Sequence, residues 1–286
     1  MFRVDKLDDT LESLELEDTD AGSRVVVAPS RGGLVTRFRV GDDDVLFLDE
    51  STLRDPSKNV RGGIPVLFPT PGKLEGDAWS YLGHSGHLKQ HGFARNMPWR
   101  VARTTTDDAA VCTLRLLSDA DTHATWPWEF ELEHRISLAG RALHIEQRLH
   151  NPGQFPMPFG LGFHPYFRVP QADKAKTRID TRATRAWDNV RKAEVRLGSI
   201  DLSAEEVDLH LLDHGRSDSA LERPGGNVRI RASQDYQRWV IWTVRGRDFV
   251  CLEPWTSPGN ALNTGEGLLV QEPGATRTTW IEISVA

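Results

Sequence analysis

The chain has 286 residues, 38% of them hydrophobic and 27% charged, which is enough apolar material to bury a core and too much for a disordered segment. Its net charge of −6 gives no general attraction to nucleic acid or an anionic membrane, both of which are bound through clustered Lys and Arg. A small phosphorylated ligand stays compatible with that charge, because two or three local arginines suffice to hold one.

Met1 to Asp20 alternates acidic and apolar residues without a basic start and an apolar run, so it does not read as a signal peptide. No apolar stretch reaches the length of a membrane span. A cytoplasmic protein with no membrane partner is expected. Asp9–Leu16 has short helical periodicity. Strand patterns then dominate: Arg24–Val27, Leu34–Val40, Val45–Leu48, Trp99–Arg103 and Val111–Leu117. From Trp128, the apolar residues Trp128, Phe130, Leu132, Ile136 and Leu138 alternate with Glu129, Glu131, Glu133 and Arg135. Ala139-Gly140 turns the chain, and Leu143, Ile145, Gln147 and Leu149 alternate with charged partners. Such period-2 alternation around a turn predicts an antiparallel hairpin with one face on a core. A second short helical candidate, Ala204–Leu212, precedes the strands Val228–Ile230, Trp239–Val244, Phe249–Leu252 and Trp280–Val285. Many strands with no break in composition predict one all-β domain over residues 1–286, a large antiparallel β-sandwich with few short helices. The two cysteines, Cys112 and Cys251, each lie in a buried-strand pattern. They are expected as two inert thiols rather than a disulfide.

Three stretches break the strand pattern. The first runs Arg61-Gly62-Gly63-Ile64-Pro65, then Gln90-His91-Gly92-Phe93-Ala94-Arg95. Paired glycines let a backbone approach a ligand closely, and Arg61 and Arg95 offer forked donors for hydroxyl or phosphate oxygens. A Pro-rich loop with two surface arginines fits the same residues. The second, Phe159-Gly160-Leu161-Gly162-Phe163-His164-Pro165-Tyr166-Phe167, sets a histidine among glycines and aromatics, where it serves either as a general acid or as a packed core residue. The third, Phe249 to Asn260, places Glu253 at a strand end beside Pro254 and Trp255. Desolvation there raises a carboxylate's pKa and makes it a better base. Glu266 and Glu272 lie nearby, and residue chemistry alone does not choose among the three.

The ordered set Gly62-Gly63-Ile64-Pro65, Gln90 to Arg95, His164-Pro165-Tyr166-Phe167 and Leu252-Glu253-Pro254-Trp255 resembles the aldose 1-epimerase (galactose mutarotase) family, in particular its bacterial branch of LacX-like proteins and hexose-6-phosphate mutarotases. The resemblance runs from the early strands to the Glu272-Pro273-Gly274 turn. It implies a β-supersandwich, no cofactor, and a sugar or sugar phosphate as the small-molecule partner. It implies Glu253 as the base that takes the C1 hydroxyl proton and His164 as the acid that protonates the ring oxygen, the open aldehyde then rotating and reclosing. It carries His91, Arg61 and Arg95 into the substrate site, and Asp208 as a hydroxyl-binding aspartate, with Asp213 close enough to compete. Mutarotation needs no redox step, and the sequence carries neither a dinucleotide fingerprint nor a Walker loop. Lys73, Lys89 and Arg168 are further cations that can reach the cleft.

Two rivals compete. His84, His87 and His91 have metal-ligand spacing, although Gly83, Gly86 and Gly92 argue against the helix that would align them. A non-catalytic sugar-binding protein would use Trp79, Trp255 and Phe163 equally well. A glycosidase would need two carboxylates rather than a carboxylate and a histidine. Nothing in the chain resembles an obligate dimer seam, so a monomer is the default.

Overall fold

The backbone realises the alternation almost everywhere. In the computed structural model, which describes residues 1–7 and 11–286, the strands form antiparallel sheets. A first eight-stranded sheet runs, in spatial order, Arg178–Asp180, Asp218–Glu222, Val228–Ala232, Thr276–Val285, Ala142–His150, Glu131–Ala139, Ala110–Leu117, Arg100–Thr105. A second, the site sheet, runs Ala193–Arg196, Arg185–Asp188, Glu206–Leu211, Arg238–Val244, Phe249–Trp255, Gly162–Phe163, Val66–Leu67, with Tyr166–Arg168 also paired to Phe249–Trp255. The segments Phe2–Leu7, Ser13–Asp18, Ser23–Ala28, Leu34–Val40 and Asp43–Asp44 make a five-stranded N-terminal sheet. No helix among the described residues is long and apolar enough to cross a membrane.

The expected hairpin forms, pairing Leu132 with Leu149, Ile136 with Ile145 and Leu138 with Leu143. All six side chains are fully buried, each contributing roughly 1.5–3 kcal/mol of apolar burial. Gly140 takes φ 59° at the turn, a conformation that glycine reaches without steric cost. On the site sheet the same period-2 logic separates two faces. Leu209, Ile241 and Leu252 lie in one cross-strand row and belong to the main core. The neighbouring rows, Trp187–His210–Val240–Glu253 and Asp208–Trp242–Cys251–Tyr166, point the other way. This second face carries Asp208, His210 and Glu253.

Both helical expectations are corrected. Within Asp9–Leu16, Asp9 and Thr10 lie outside the described residues, and Ser13–Asp18 is a strand in which Leu14 and Leu16 are buried. Ala204–Leu212 contains the strand Glu206–Leu211, with Val207, Leu209 and Leu211 buried. In both, an apolar residue at every second position outweighs the weaker 3.6-residue pattern once neighbouring strands supply hydrogen bonds. Val45–Leu48 is not a continuous strand; Leu46 and Leu48 make isolated bridges to Phe167 and Gly62. Cys112 and Cys251 are free, buried thiols in strands.

Candidate active site

The second face of the site sheet floors a cavity of about 730 Å³. Phe249–Trp255 is buried along its whole length, because its odd residues face the cavity side and its even ones the core. Glu253 is 1% exposed. Its Oε2 accepts a hydrogen bond from the Trp255 indole at 3.1 Å, and its Oε1 lies 3.5 Å from His164 Nδ1. That nitrogen has no hydrogen-bond partner of its own. The His164 ring stacks on Tyr166 with centroids 4.6 Å apart at 7° and meets the Trp242 face edge-on at 5.7 Å. Aromatic contacts on two sides fix the imidazole plane without occupying Nδ1.

Electrostatics follow from this enclosure. Burial holds the Glu253 carboxyl well above its ordinary range; Asp208 adds to the effect, and the Trp255 hydrogen bond and Arg95 oppose it. Burial pushes His164 well below its ordinary range, helped by His91 and Arg95. A carboxylate becomes a stronger base and an imidazolium a stronger acid. Both shifts favour proton transfer from substrate to the Glu253 carboxylate and from a protonated His164 to substrate.

The loop residues expected at the site converge on it. His91 lies at the cavity wall with its ring edge-on to His164 at 5.5 Å and to Trp255 at 5.7 Å. Its Nδ1 bonds the Pro71 carbonyl, its backbone sits at φ 70°, and burial lowers its pKa to about 3. A non-glycine residue held there is strained, and such strain clusters at functional sites. Arg95 donates to the Gln90 carbonyl at 3.0 Å while its buried Nε lacks a partner. Arg61 reaches the cavity from an exposed loop position, and Lys73 also lines it. Asp208 lines the opposite side, its pKa raised by burial. Asp213 does not line the cavity; it accepts bonds from the amides of Thr184 and Arg185 and the Thr184 hydroxyl.

Other expectations are redirected. Gly62 and Gly63 serve close backbone packing rather than ligand approach: a Cβ on Gly62 would lie 2.5 Å from Leu48 Cα, and one on Gly63 2.3 Å from the Val35 carbonyl oxygen. Lys89 pairs with Asp77 at 2.8 Å, and neither it nor Arg168 lines the cavity. Trp79 packs on Trp126 and Trp128, and Phe163 lies in the core against Tyr236; of the three aromatics proposed for sugar contact, only Trp255 lines the cavity. Glu266 sits at the rim paired with Arg238 at 2.7 Å, whereas Glu272 is exposed in its turn. His84 and His87 are exposed on a two-stranded hairpin and do not assemble with His91. The candidate ligand set among the described residues is instead His164, Cys251 and Glu253, with donor atoms within 4.8 Å of one another. Burial pushes the Cys251 thiol well above its ordinary range, which opposes the thiolate that a metal requires. His210, Asn189, Trp187 and Trp242 also line the cavity and were not singled out from sequence. The alternation of Asp208 and His210 between buried Val207, Leu209 and Leu211 is the signal that would have found His210.

The aldose 1-epimerase family model matches residues 13–284. A relative from Cenchrus ciliaris, named "Putative glucose-6-phosphate 1-epimerase", is 29% identical over 244 residues, covering 81% of this chain and 67% of the relative. A Salmonella typhimurium protein of the same name is 31% identical over 156 residues, covering 54% of this chain; the match spans about half of that relative (48%). Among solved structures, the Slr1438 protein of Synechocystis sp. PCC 6803 is 38% identical with a TM-score of 0.94, covering 100% of this chain and 99% of the other. A galactose mutarotase-like protein from Clostridium acetobutylicum shares the fold at 17% identity and a TM-score of 0.86, covering 100% of this chain and 98% of its own. The match across the strands, the site loops and the Glu253 segment together makes this chain a member of the aldose 1-epimerase family.

Proposed function

We propose that this protein is a mutarotase that interconverts the α and β anomers of a hexose 6-phosphate, with Glu253 and His164 as the catalytic acid–base pair. The observation that carries the reading is the Glu253–His164 contact at 3.5 Å on the floor of the cavity. Glu253 takes the proton from the C1 hydroxyl while His164 delivers one to the ring oxygen, the C1–O5 bond opens, and the aldehyde turns about C1–C2. Reclosure on the other carbonyl face reverses both transfers, so the pair ends with the proton distribution it began with. Burial makes the carboxylate a stronger base and the imidazolium a stronger acid, as this pair of transfers requires.

The phosphate is assigned to the flank formed by Arg61, Lys73 and Arg95. These cations line the cavity, and none has a carboxylate ion-pair partner among the described residues, whereas Arg238 on the other flank is paired with Glu266. The names of the curated relatives point to the same substrate class.

The test is anomer-resolved NMR exchange of glucose 6-phosphate, with polarimetry of fresh α-D-glucose and α-D-galactose in parallel, on wild-type and Glu253→Gln protein. Acceleration lost in the variant and strongest with the phosphate is expected. Saturable binding without acceleration of any sugar would instead identify a sugar-binding protein on the same fold.

A further inference from the structure

The hydrogen bonds around Asn189 fix the protonation of a histidine that the acid–base pair does not use. Asn189 stands at the end of the strand Arg185–Asp188, and its backbone amide bonds the Asp208 carbonyl at 2.8 Å. The Trp187 indole nitrogen donates to Asn189 Oδ1 at 3.1 Å. An indole N–H can only donate, so this bond settles which end of the amide is oxygen. The Nδ2 group then faces Asp208 Oδ1 at 3.3 Å and His210 Nε2 at 2.9 Å. An amide NH₂ can only donate as well, and it carries one hydrogen for each partner. His210 Nε2 must therefore be a bare acceptor. In a neutral imidazole the remaining proton is on Nδ1. Burial lowers the His210 pKa to about 4, which agrees with a neutral ring. No described residue bonds Nδ1, and that atom is not among the buried unpartnered ones, so it is open to the cavity that His210 lines.

We propose that His210 is a substrate-binding group, held by Asn189 as its Nδ1–H tautomer, so that His210 and Asp208 offer a donor beside an acceptor to adjacent hydroxyls of the sugar. Asp208 and His210 share one face of the strand Glu206–Leu211, with Asp208 Oδ1 3.7 Å from His210 Nε2. A hydroxyl both donates and accepts, so two neighbouring hydroxyls can satisfy the pair together. An analogue lacking one of them leaves a protein group unpaired. Asn189 is a positioning residue that holds the pair through one amide. The inference rests on the proposed sugar site but not on turnover.

Two measurements on the full-length protein test it. Long-range ¹H–¹⁵N correlation spectra of uniformly labelled protein at pH 7, with His210 assigned from His210→Gln, should show the proton on Nδ1. In Asn189→Asp, which replaces the donor with a carboxylate of nearly the same shape, a proton should appear on Nε2. An Nε2–H ring in wild type, or no change in the variant, would overturn the proposal. Calorimetric titration with glucose 6-phosphate and its monodeoxy analogues forms the second arm. Wild type should disfavour at least one deoxy analogue by about 10- to 100-fold, the cost of one unpaired buried polar group. His210→Ala should erase that preference at one position and keep the others; Asn189→Asp serves the same arm if the alanine variant does not fold. An unchanged pattern of preferences would sink the idea. A protein with the expected tautomer and binding but no mutarotation would refute the catalytic reading alone. An active enzyme with an Nε2–H His210 would refute this inference alone.

Discussion

Glu253 and His164 are chemically ordinary groups made complementary by what surrounds them. The carboxylate keeps one hydrogen bond, from Trp255, and the imidazole is clasped by Tyr166 and Trp242, so burial shifts the two in opposite directions. Glu253→Gln preserves the acceptor for the indole but cannot take a proton. It should lower kcat for hexose 6-phosphate exchange by about 10²–10⁴-fold, with a melting temperature no lower than wild type, because a buried titratable group has been replaced by a neutral one. His164→Ala should lose a similar factor. NMR exchange rates near wild type in either folded variant would remove that residue from the mechanism. Arg95 predicts a difference between substrates: Arg95→Ala should weaken kcat/KM for glucose 6-phosphate more than for glucose, by about tenfold or more if a charge-assisted bond is lost. Equal losses on both sugars would assign Arg95 to hydroxyl binding or loop support.

At the scale of elements, the sequence revealed strands most plainly where charged residues alternate with large apolar ones, and it left Ser13–Asp18 and Glu206–Leu211 to be read as helical. The hairpin from Glu131 to His150 is plain, because Glu and Arg alternate with Leu and Ile. Glu206–Leu211 was hidden because its polar residues, Asp208 and His210, line a cavity, and a short polar-apolar run fits either period. The Gly62-Gly63 pair was visible as special, but its purpose was not, since the atoms it avoids belong to Leu48 and Val35, far away in sequence. The bridges Val35–Ile64 and Leu48–Gly62 tie the Arg61 loop to the N-terminal sheet and its following segment. Gly63→Ala, at φ 66° and with a Cβ on the Val35 carbonyl, should destabilise the fold by about 2–3 kcal/mol. It should also raise KM for the phosphorylated sugar by displacing Arg61. Urea unfolding and steady-state kinetics on the same preparation check both. A variant as stable as wild type would show that this crossing is not rigid.

Across the whole molecule, one cluster of buried side chains extends from Leu14 to Val285 and draws on all three large sheets. Enclosed with it are histidines that burial keeps neutral: His91 and His134, each lowered to about 3, and His210, lowered to about 4. Each ordinarily titrates near 6.5. Between that value and the folded one the unfolded chain binds more protons, so stability rises with pH across this window and is lost as the pH falls through it. Glu253 and Asp208, held above their ordinary values by burial, act in the opposite sense, since acid favours their folded, protonated forms. With His164, also lowered by burial, four histidines outnumber these two carboxyls. His134 isolates the effect because it does not line the cavity, being packed between Trp99 and Phe163 at 5.5 and 6.0 Å, with Nδ1 unpartnered. His134→Leu replaces it with an apolar group of similar size. Wild-type unfolding free energy should drop as pH is lowered from about 6 to about 4, and the variant's curve should be shallower by up to about 1.4 kcal/mol per pH unit, the contribution of one proton. Parallel curves from denaturant titrations at several pH values would mean that His134 is protonated in the folded core, and the acid sensitivity would then lie with the site histidines.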